Sequence, residues 1–309
     1  MSILCVGSVA LASVETPFGK ADRVLGGSAV FFTAAASLFS PVQVVGVVGE
    51  DYPLDELDFL KARGADLSGI EQRAGESFFW AGRYHFDLNT RDTLETRLGV
   101  FADFQPKIPD SFRDARYVFL GNIDPVLQLE VLDQVESPDV VACDTMNYWI
   151  SGSRDALIEL LGRVRILLVN EEEVRQLAGE PNLLKAARWV QERGPEMVVV
   201  KKGEHGAILF ADHWLFFVPG FPLEEVFDPT GAGDGFAGGF LGYLARAGSL
   251  TPYDLRRAMV YGSVMGSYVV EEFSVRRLID LPLADIERRV EEFREITAFE
   301  THMPAEEPV

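Results

Sequence analysis

The sequence predicts an α/β protein built on a largely parallel sheet sandwiched between helices. Three observations carry that prediction. From residue 116 onward, short apolar runs alternate with helical patterns. The run at 42–48 is continuous and β-branched, the pattern of a strand covered on both faces. The polar, glycine-bearing motifs fall just after strands, where such sheets place their ligand-binding loops. A chain of 309 residues, 48% of them hydrophobic, has enough apolar material for that core, in one large domain or two small ones.

Taken in order, residues 3–9 form a short β-type run that ends near Gly7, and Gly26-Gly27-Ser28 opens an apolar, small-residue segment at 29–39 that reads as a buried helix. The strand at 42–48 ends in Gly49-Glu50-Asp51, and a helix from about 54 to 63 follows. Residues 77–105 behave differently. Phe78, Phe79, Trp80, Tyr84 and Phe86, then residues 93–104, alternate with polar residues around a break at 89–92, as exposed strands outside the main core do. A plain edge hairpin satisfies this pattern. A small β lid formed by about 13–25 and 76–105 satisfies it too, since 14–25 is too polar for a core helix, and a lid would exclude water from a reaction beneath it.

Beyond residue 116 the strands predicted at 117–120, 140–143, 166–169 and 197–200 end in Gly121-Asn122-Ile123-Asp124-Pro125, Asp144-Thr145-Met146-Asn147, Asn170-Glu171-Glu172-Glu173 and Lys201-Lys202-Gly203-Glu204-His205-Gly206. The last leads through a hairpin into 207–210. The acidic end of the chain, 304–309, is expected to fray.

A formal net charge of −20 without a basic patch argues against a nucleic-acid or anionic-membrane partner. Cys5 and Cys143 lie far apart in apolar runs, so a disulfide framework is not expected, and a reducing cytoplasmic setting is. Histidines 85, 205, 213 and 302 show no metal-ligand spacing, and no uncharged run approaches the length of a membrane span.

The most informative stretch is Asp228-Pro229-Thr230-Gly231-Ala232-Gly233-Asp234-Gly235-Phe236, followed by an apolar helical run. Gly231 to Gly233 should be the first turn of a buried helix, whose free N–H groups and dipole favour an anion such as a phosphate. Asp234 either complements that dipole or faces a ligand brought close by its glycine neighbours. The full string resembles the C-terminal signature of the ribokinase (PfkB) family of carbohydrate and nucleoside kinases, with Pro229 and Thr230 as a mild variation. The resemblance implies a ribokinase-like three-layer α/β/α sandwich with a small β lid, spanning 1–309 as a single domain. It also implies an anion hole at Gly231, Ala232 and Gly233, and Asp234 as the base that takes a proton from the acceptor hydroxyl. A positioned carboxylate suits phosphoryl transfer, in which the enzyme mainly aligns donor and acceptor and neutralises charge.

Other motifs extend the resemblance along the chain. Asn170 and Glu173 read locally as a helix cap with an acidic first turn; by resemblance they hold Mg²⁺ and its waters beside ATP. Lys201, Gly203 and Gly206 are similar to the family's strand-turn element at the nucleotide, with Thr230 nearby. Gly262, Ser263 and Gly266 lie on one face of a late helix, which serves either close packing or an adenine ring. Asp228 is assigned to a metal, a potassium-like cation (K⁺), on resemblance alone. Gly27, Asn122, Asp144, Asn147 and the aromatic Trp80 and Tyr84 would line the acceptor site. Two departures stand out: Phe31 where the family has a substrate-contacting Asn, and Ala12 where it has an Asp that binds acceptor hydroxyls. The family's sugar acceptor is the first reading, a nucleoside the second, and a ligand-binding homologue that has lost acceptor chemistry the third. A homodimer through the lid is a further expectation.

Overall fold

Valine-rich and leucine-rich runs make the central strands of this computed structural model, which describes residues 1–299; the expectation for 304–309, like His302, lies outside the described residues. In chain order the first half contains β1 (Ile3–Val6), β2 (Ala10–Thr16), β3 (Gly19–Gly26), α1 (Ser28–Ala36), β4 (Val42–Val48), α2 (Asp58–Ala62), β5 (Asp66–Gln72), β6 (Phe78–Tyr84) and β7 (Arg91–Arg97). Strand β8 (Tyr117–Leu120), α3 (Pro125–Leu132), β9 (Val140–Asp144), α4 (Asn147–Gly152), α5 (Arg154–Leu161), β10 (Ile166–Asn170), α6 (Glu171–Ala178), α7 (Leu183–Gln191) and β11 (Met197–Lys201) follow. The chain then adds β12 (Ala207–Ala211), β13 (Trp214–Val218), α8 (Ala232–Ala247), α9 (Pro252–Val269), α10 (Arg276–Ile279) and α11 (Leu283–Thr297).

Nine strands form one sheet in the order β13-β12-β11-β10-β9-β8-β1-β4-β5, parallel throughout except where β12 runs against both of its neighbours. Both faces of its inner strands are buried, so β1, β8, β9, β10, β11 and β12 are apolar at nearly every position rather than at alternate ones. Ile3 and Cys5 face the layer built from α1, α8 and α9, while Leu4 and Val6 face the layer of α3, α5, α6 and α7. The result is a three-layer α/β/α sandwich. Because the parallel strands end on one edge, Asp144, Asn170 and Lys201, the last residues of β9, β10 and β11, and Asn122 just past β8 are brought to that edge.

A second sheet, β3-β2-β6-β7, joins the main core through Leu11, Leu25 and Phe79 and carries its own small cluster of Ala12, Val14, Tyr84, Trp80, Leu88 and Phe273. Its strands span 10–26 and 78–97, slightly different from the 13–25 and 76–105 expected. Past Arg97 the alternation gives way to a 3₁₀ turn, Gly99–Asp103. The helix expected at 54–63 is likewise split, into a 3₁₀ turn at Leu54–Leu57 and the short α2. Strand β5 has no counterpart in the sequence reading, because Asp66-Leu-Ser-Gly-Ile-Glu-Gln72 is polar; it is the sheet's edge, buried on neither face. No described helix is long and apolar enough to cross a membrane.

Candidate active site

Residues from three parallel strands and one helix converge where the sheet's carboxyl edge meets the start of α8. Lys201, the last residue of β11, reaches past β10 to Asp144, the last residue of β9, with Nζ 2.6 Å from Oδ2. The pair is nearly enclosed, with side chains 15% and 7% exposed. The other Asp144 oxygen accepts the Thr145 N–H at 2.8 Å, which fixes the carboxylate's orientation. Burial alone would lower the Lys201 pKa, but the charges of Asp144, Glu173 and Asp234 outweigh it and raise the pKa, so the ammonium persists at neutral pH.

Three carboxylates therefore share one ammonium. Burial, then the charge of Asp144, pushes Asp234 up to about 7 although Lys201 pulls it down. Glu173 is raised to about 7 by the same two causes, against Lys201, the Asn170 N–H and Arg91. Asp234 as a residue is half-buried at the start of α8.

Glu173 is held by a reciprocal cap at the start of α6. Asn170 Oδ1 accepts the Glu173 N–H and Glu173 Oε2 accepts the Asn170 N–H, each at 2.8 Å. That arrangement occupies one carboxylate oxygen and leaves the other. A hard divalent cation fits this donor set: it would offset the surplus negative charge and needs few protein oxygens if it keeps its waters.

The signature turn begins α8 with Gly231 at φ 77°, ψ 0°, a left-handed conformation that glycine adopts without a Cβ clash. The Ala232 N–H is turned back to the Pro229 carbonyl at 3.2 Å. Among the described residues no acceptor is paired with the N–H groups of Gly231, Gly233 or Asp234. The amides left free are therefore those of Gly231, Gly233 and Asp234, whereas the Ala232 amide, which the sequence reading included, closes the turn. A Cβ on Gly233 would lie 3.0 Å from Lys201 Nζ, so the missing side chain is what lets the ammonium lie against the turn.

Phe31 braces this turn from below. It is 2% exposed, and a Cβ at position 231 would sit 2.3 Å from its ring. Phe31, expected at the acceptor site, thus packs with its ring covered by Gly231. Ala12 is also buried, on the inner face of the lid beside Val14 and Tyr84, and nothing polar replaces the carboxylate there. Tyr84 reaches the signature, its OH 3.3 Å from Thr230 Oγ1, while Trp80 donates to Thr93 Oγ1 at 3.4 Å within the lid. Asp228 is 1% exposed; its carboxylate accepts the N–H groups of Thr230 at 2.9 Å and Ser274 at 3.3 Å, which tie the turn to the segment after α9.

Asn122 accepts from Trp149 Nε1 at 2.9 Å, which ties it to α4, the helix that Asn147 opens. Gly27 caps the start of α1 against Ser8. Gly203 and Gly206 shape the turn between β11 and β12. Gly262 and Gly266 face α8, near Phe236 and the Ala232 carbonyl, and Ser263 donates to the Pro219 carbonyl at 2.9 Å. Gly262 and Gly266 thus sit at a close helix contact, and Ser263 ties α9 to the segment after β13. The Lys201–Asp144 ion pair was not foreseen. Its signal was present in the consecutive order of the strands ending at 144, 170 and 201, which places those ends side by side.

The family model for pfkB family carbohydrate kinases matches residues 18–281. The chain belongs to this family. A cytidine kinase of Thermococcus kodakarensis is 30% identical over 253 residues, covering 80% of this chain and 89% of that one. A nucleoside kinase of Methanothermobacter thermautotrophicus is 26% identical, covering 84% and 82%. Among solved structures, a Burkholderia thailandensis nucleoside kinase in complex with inosine superposes with a TM-score of 0.76 at 20% identity, covering 94% of this chain and 97% of that one. A Thermotoga maritima ribokinase gives 0.71 at 19%, covering 96% and 99%. These two likenesses establish the ribokinase fold for the PfkB chain described here.

Proposed function

We propose that this PfkB-family kinase moves the γ-phosphoryl group of ATP to a hydroxyl of a nucleoside, with a free sugar as the second reading. The observation that carries the kinase assignment is the junction of Asp234, Lys201 and the unpaired amides at the start of α8. Asp234 accepts the hydroxyl proton as the acceptor oxygen bonds to the γ-phosphorus. The bond to the β,γ-bridging oxygen breaks and its electron pair leaves with ADP. Lys201 and the amides of Gly231, Gly233 and Asp234 neutralise charge on the group in transit. Glu173, oriented by Asn170, would hold Mg²⁺, which supplies charge neutralisation at the nucleotide phosphates. Asp228 stands as the candidate for a monovalent cation, although its two backbone donors already satisfy much of its carboxylate.

A nucleoside is favoured over a free sugar by the lid. Trp80 and Leu88, the half-buried members of its apolar cluster, offer a surface that suits a base better than a polyol, and the similarity to a cytidine kinase points the same way. The described residues would make one domain with the lid as an appended sheet, and pairing of two copies through that sheet would bury Leu94, which is 53% exposed on β7. A coupled ADP-release assay over nucleosides and pentoses tests the reading. Turnover with nucleosides supports it, turnover with pentoses alone transfers the assignment to the sugar reading, and binding without turnover marks a kinase scaffold that has lost its chemistry.

A further inference from the structure

A single buried amide ties together two of the strand ends from which the site is built. Gln128 closes the first turn of α3, a helix whose start is fixed by Pro125 and by the Asp124 carboxylate, which accepts the Val126 N–H at 2.9 Å. Side chains on a helix lean toward its N-terminus, so this one runs back beneath the β8–α3 connection. Gln128 is fully buried, and its Nε2 lies 2.8 Å from the Gly121 carbonyl oxygen and 3.2 Å from those of Leu120 and Asp144. Two amide hydrogens are thus shared among three carbonyls. The β8–β9 ladder ends with Leu120 opposite Cys143, and the amide bridges Gly121 and Asp144 one residue beyond it. Gln128 Oε1 is buried with no partner among the described residues, and turning the amide over would aim that oxygen at the three carbonyls instead. An unpaired buried acceptor is unfavourable, so what this side chain contributes is its donors.

The tie reaches the signature through Asp144. Its carbonyl is held by Gln128, one carboxylate oxygen by the Thr145 N–H and the other by Lys201, whose Nζ lies against Gly233. A shift of the Asp144 main chain would draw Lys201 away from the start of α8. We propose that Gln128 is a positioning residue of the kinase site, clamping the ends of β8 and β9 so that Asp144 holds Lys201 against the signature turn. The proposal rests on the kinase reading and extends it to a side chain whose amide is spent on backbone carbonyls. Such a residue acts on alignment rather than on binding, and its loss should appear in kcat more than in KM.

Gln128→Met tests this, since it keeps the length of the side chain and removes both donors. With a nucleoside that the wild type phosphorylates, kcat of Q128M should fall about 10-fold or more while the KM values for ATP and nucleoside stay within about 3-fold. Gln134→Met is the control, with thermal denaturation of every variant. The Gln134 amide also donates to two carbonyls, those of Pro106 at 2.9 Å and Glu130 at 3.0 Å, neither of them on a strand of the site, so kcat of Q134M should stay within about 2-fold. A cycle with Asp144→Asn shows whether the effect runs through Asp144: adding Q128M to D144N should cost less than about 3-fold in kcat. Wild-type kcat in Q128M, equal losses in Q128M and Q134M, or the full loss repeated on the D144N background overturns the proposal and leaves the kinase reading standing. A wild type that turns over neither nucleosides nor pentoses defeats the kinase reading, and this proposal with it. Should Q128M fail to fold, Gln128→Asn, whose donors fall one methylene short, takes its place, and wild-type kcat there counts against Gln128.

Discussion

Replacing Gly231 with alanine should disable the site from a position that carries no functional group. Two costs are separable. The left-handed conformation at φ 77° is unfavourable for alanine by about 1–2 kcal/mol. The new methyl would also sit 2.3 Å from Cγ and 2.4 Å from both Cδ atoms of Phe31. Carbon contacts require roughly 3.5–4.0 Å, so ring and turn must part by more than 1 Å. Phe31 is 2% exposed in a close-packed layer and has little room to retreat, so overpacking adds about 1–3 kcal/mol. The total, roughly 2–5 kcal/mol, should lower Tm by several degrees. Because the turn aims the amides and Asp234, a displacement near 1 Å should also cost on the order of 100-fold in kcat. Urea unfolding of Gly231→Ala alone and on a Phe31→Ala background separates the two costs. With the ring gone, the substitution should cost only the strain, about 1–2 kcal/mol. An equal cost on both backgrounds would refute the seating of Phe31 beneath the turn, and a loss under about 0.5 kcal/mol with kcat intact would refute the turn's conformation as well.

Further outcomes follow from the charge cluster and the lid. Lys201→Met strands three carboxylates without their ammonium and should destabilise the protein by about 3–5 kcal/mol while moving the acid limb of the pH–rate profile upward; an unmoved limb would separate Lys201 from the base. In wild type that limb should lie near pH 7, because Asp234 must be ionised to accept a proton and its pKa is about 7. Stability without nucleotide should run the other way. A carboxylate whose pKa is raised on folding binds its proton more tightly in the native state, so the protein should gain stability as pH falls from about 7.5 toward 5, where Asp234 and Glu173 protonate; chemical denaturation at the two pH values checks the sign. Ala12→Asp should not restore sugar binding. It buries a carboxylate among Val14, Tyr84 and Trp80 and should cost about 1–3 kcal/mol, as read by thermal denaturation beside a pentose titration.

The alternating runs beyond residue 116 were legible because strands buried on both faces must be apolar at every position, and β8 to β11 lie where the sequence predicts them. The start of α8 was legible because a glycine turn before an apolar helix has few other uses. Strand β5 was not, since an edge strand takes its stability from the β4 ladder rather than from its own polar side chains. The role of Phe31 was hidden for another reason: what covers it is a glycine 200 positions later, and glycine carries no hydrophobic signal of its own. The Lys201–Asp144 pair was legible only through strand order, since β9, β10 and β11 are neighbours in sequence order and no residue near either partner signals it.

The account depends most on Asp234 acting as the proton acceptor, and Asp234→Asn isolates that role because an amide keeps the shape and loses the base. Measured by ADP release with a nucleoside that the wild type phosphorylates, kcat should fall by about 10²- to 10⁴-fold while nucleotide affinity stays within about 3-fold. A variant that keeps more than roughly a tenth of wild-type kcat would contradict that role for Asp234 and move the base to another residue.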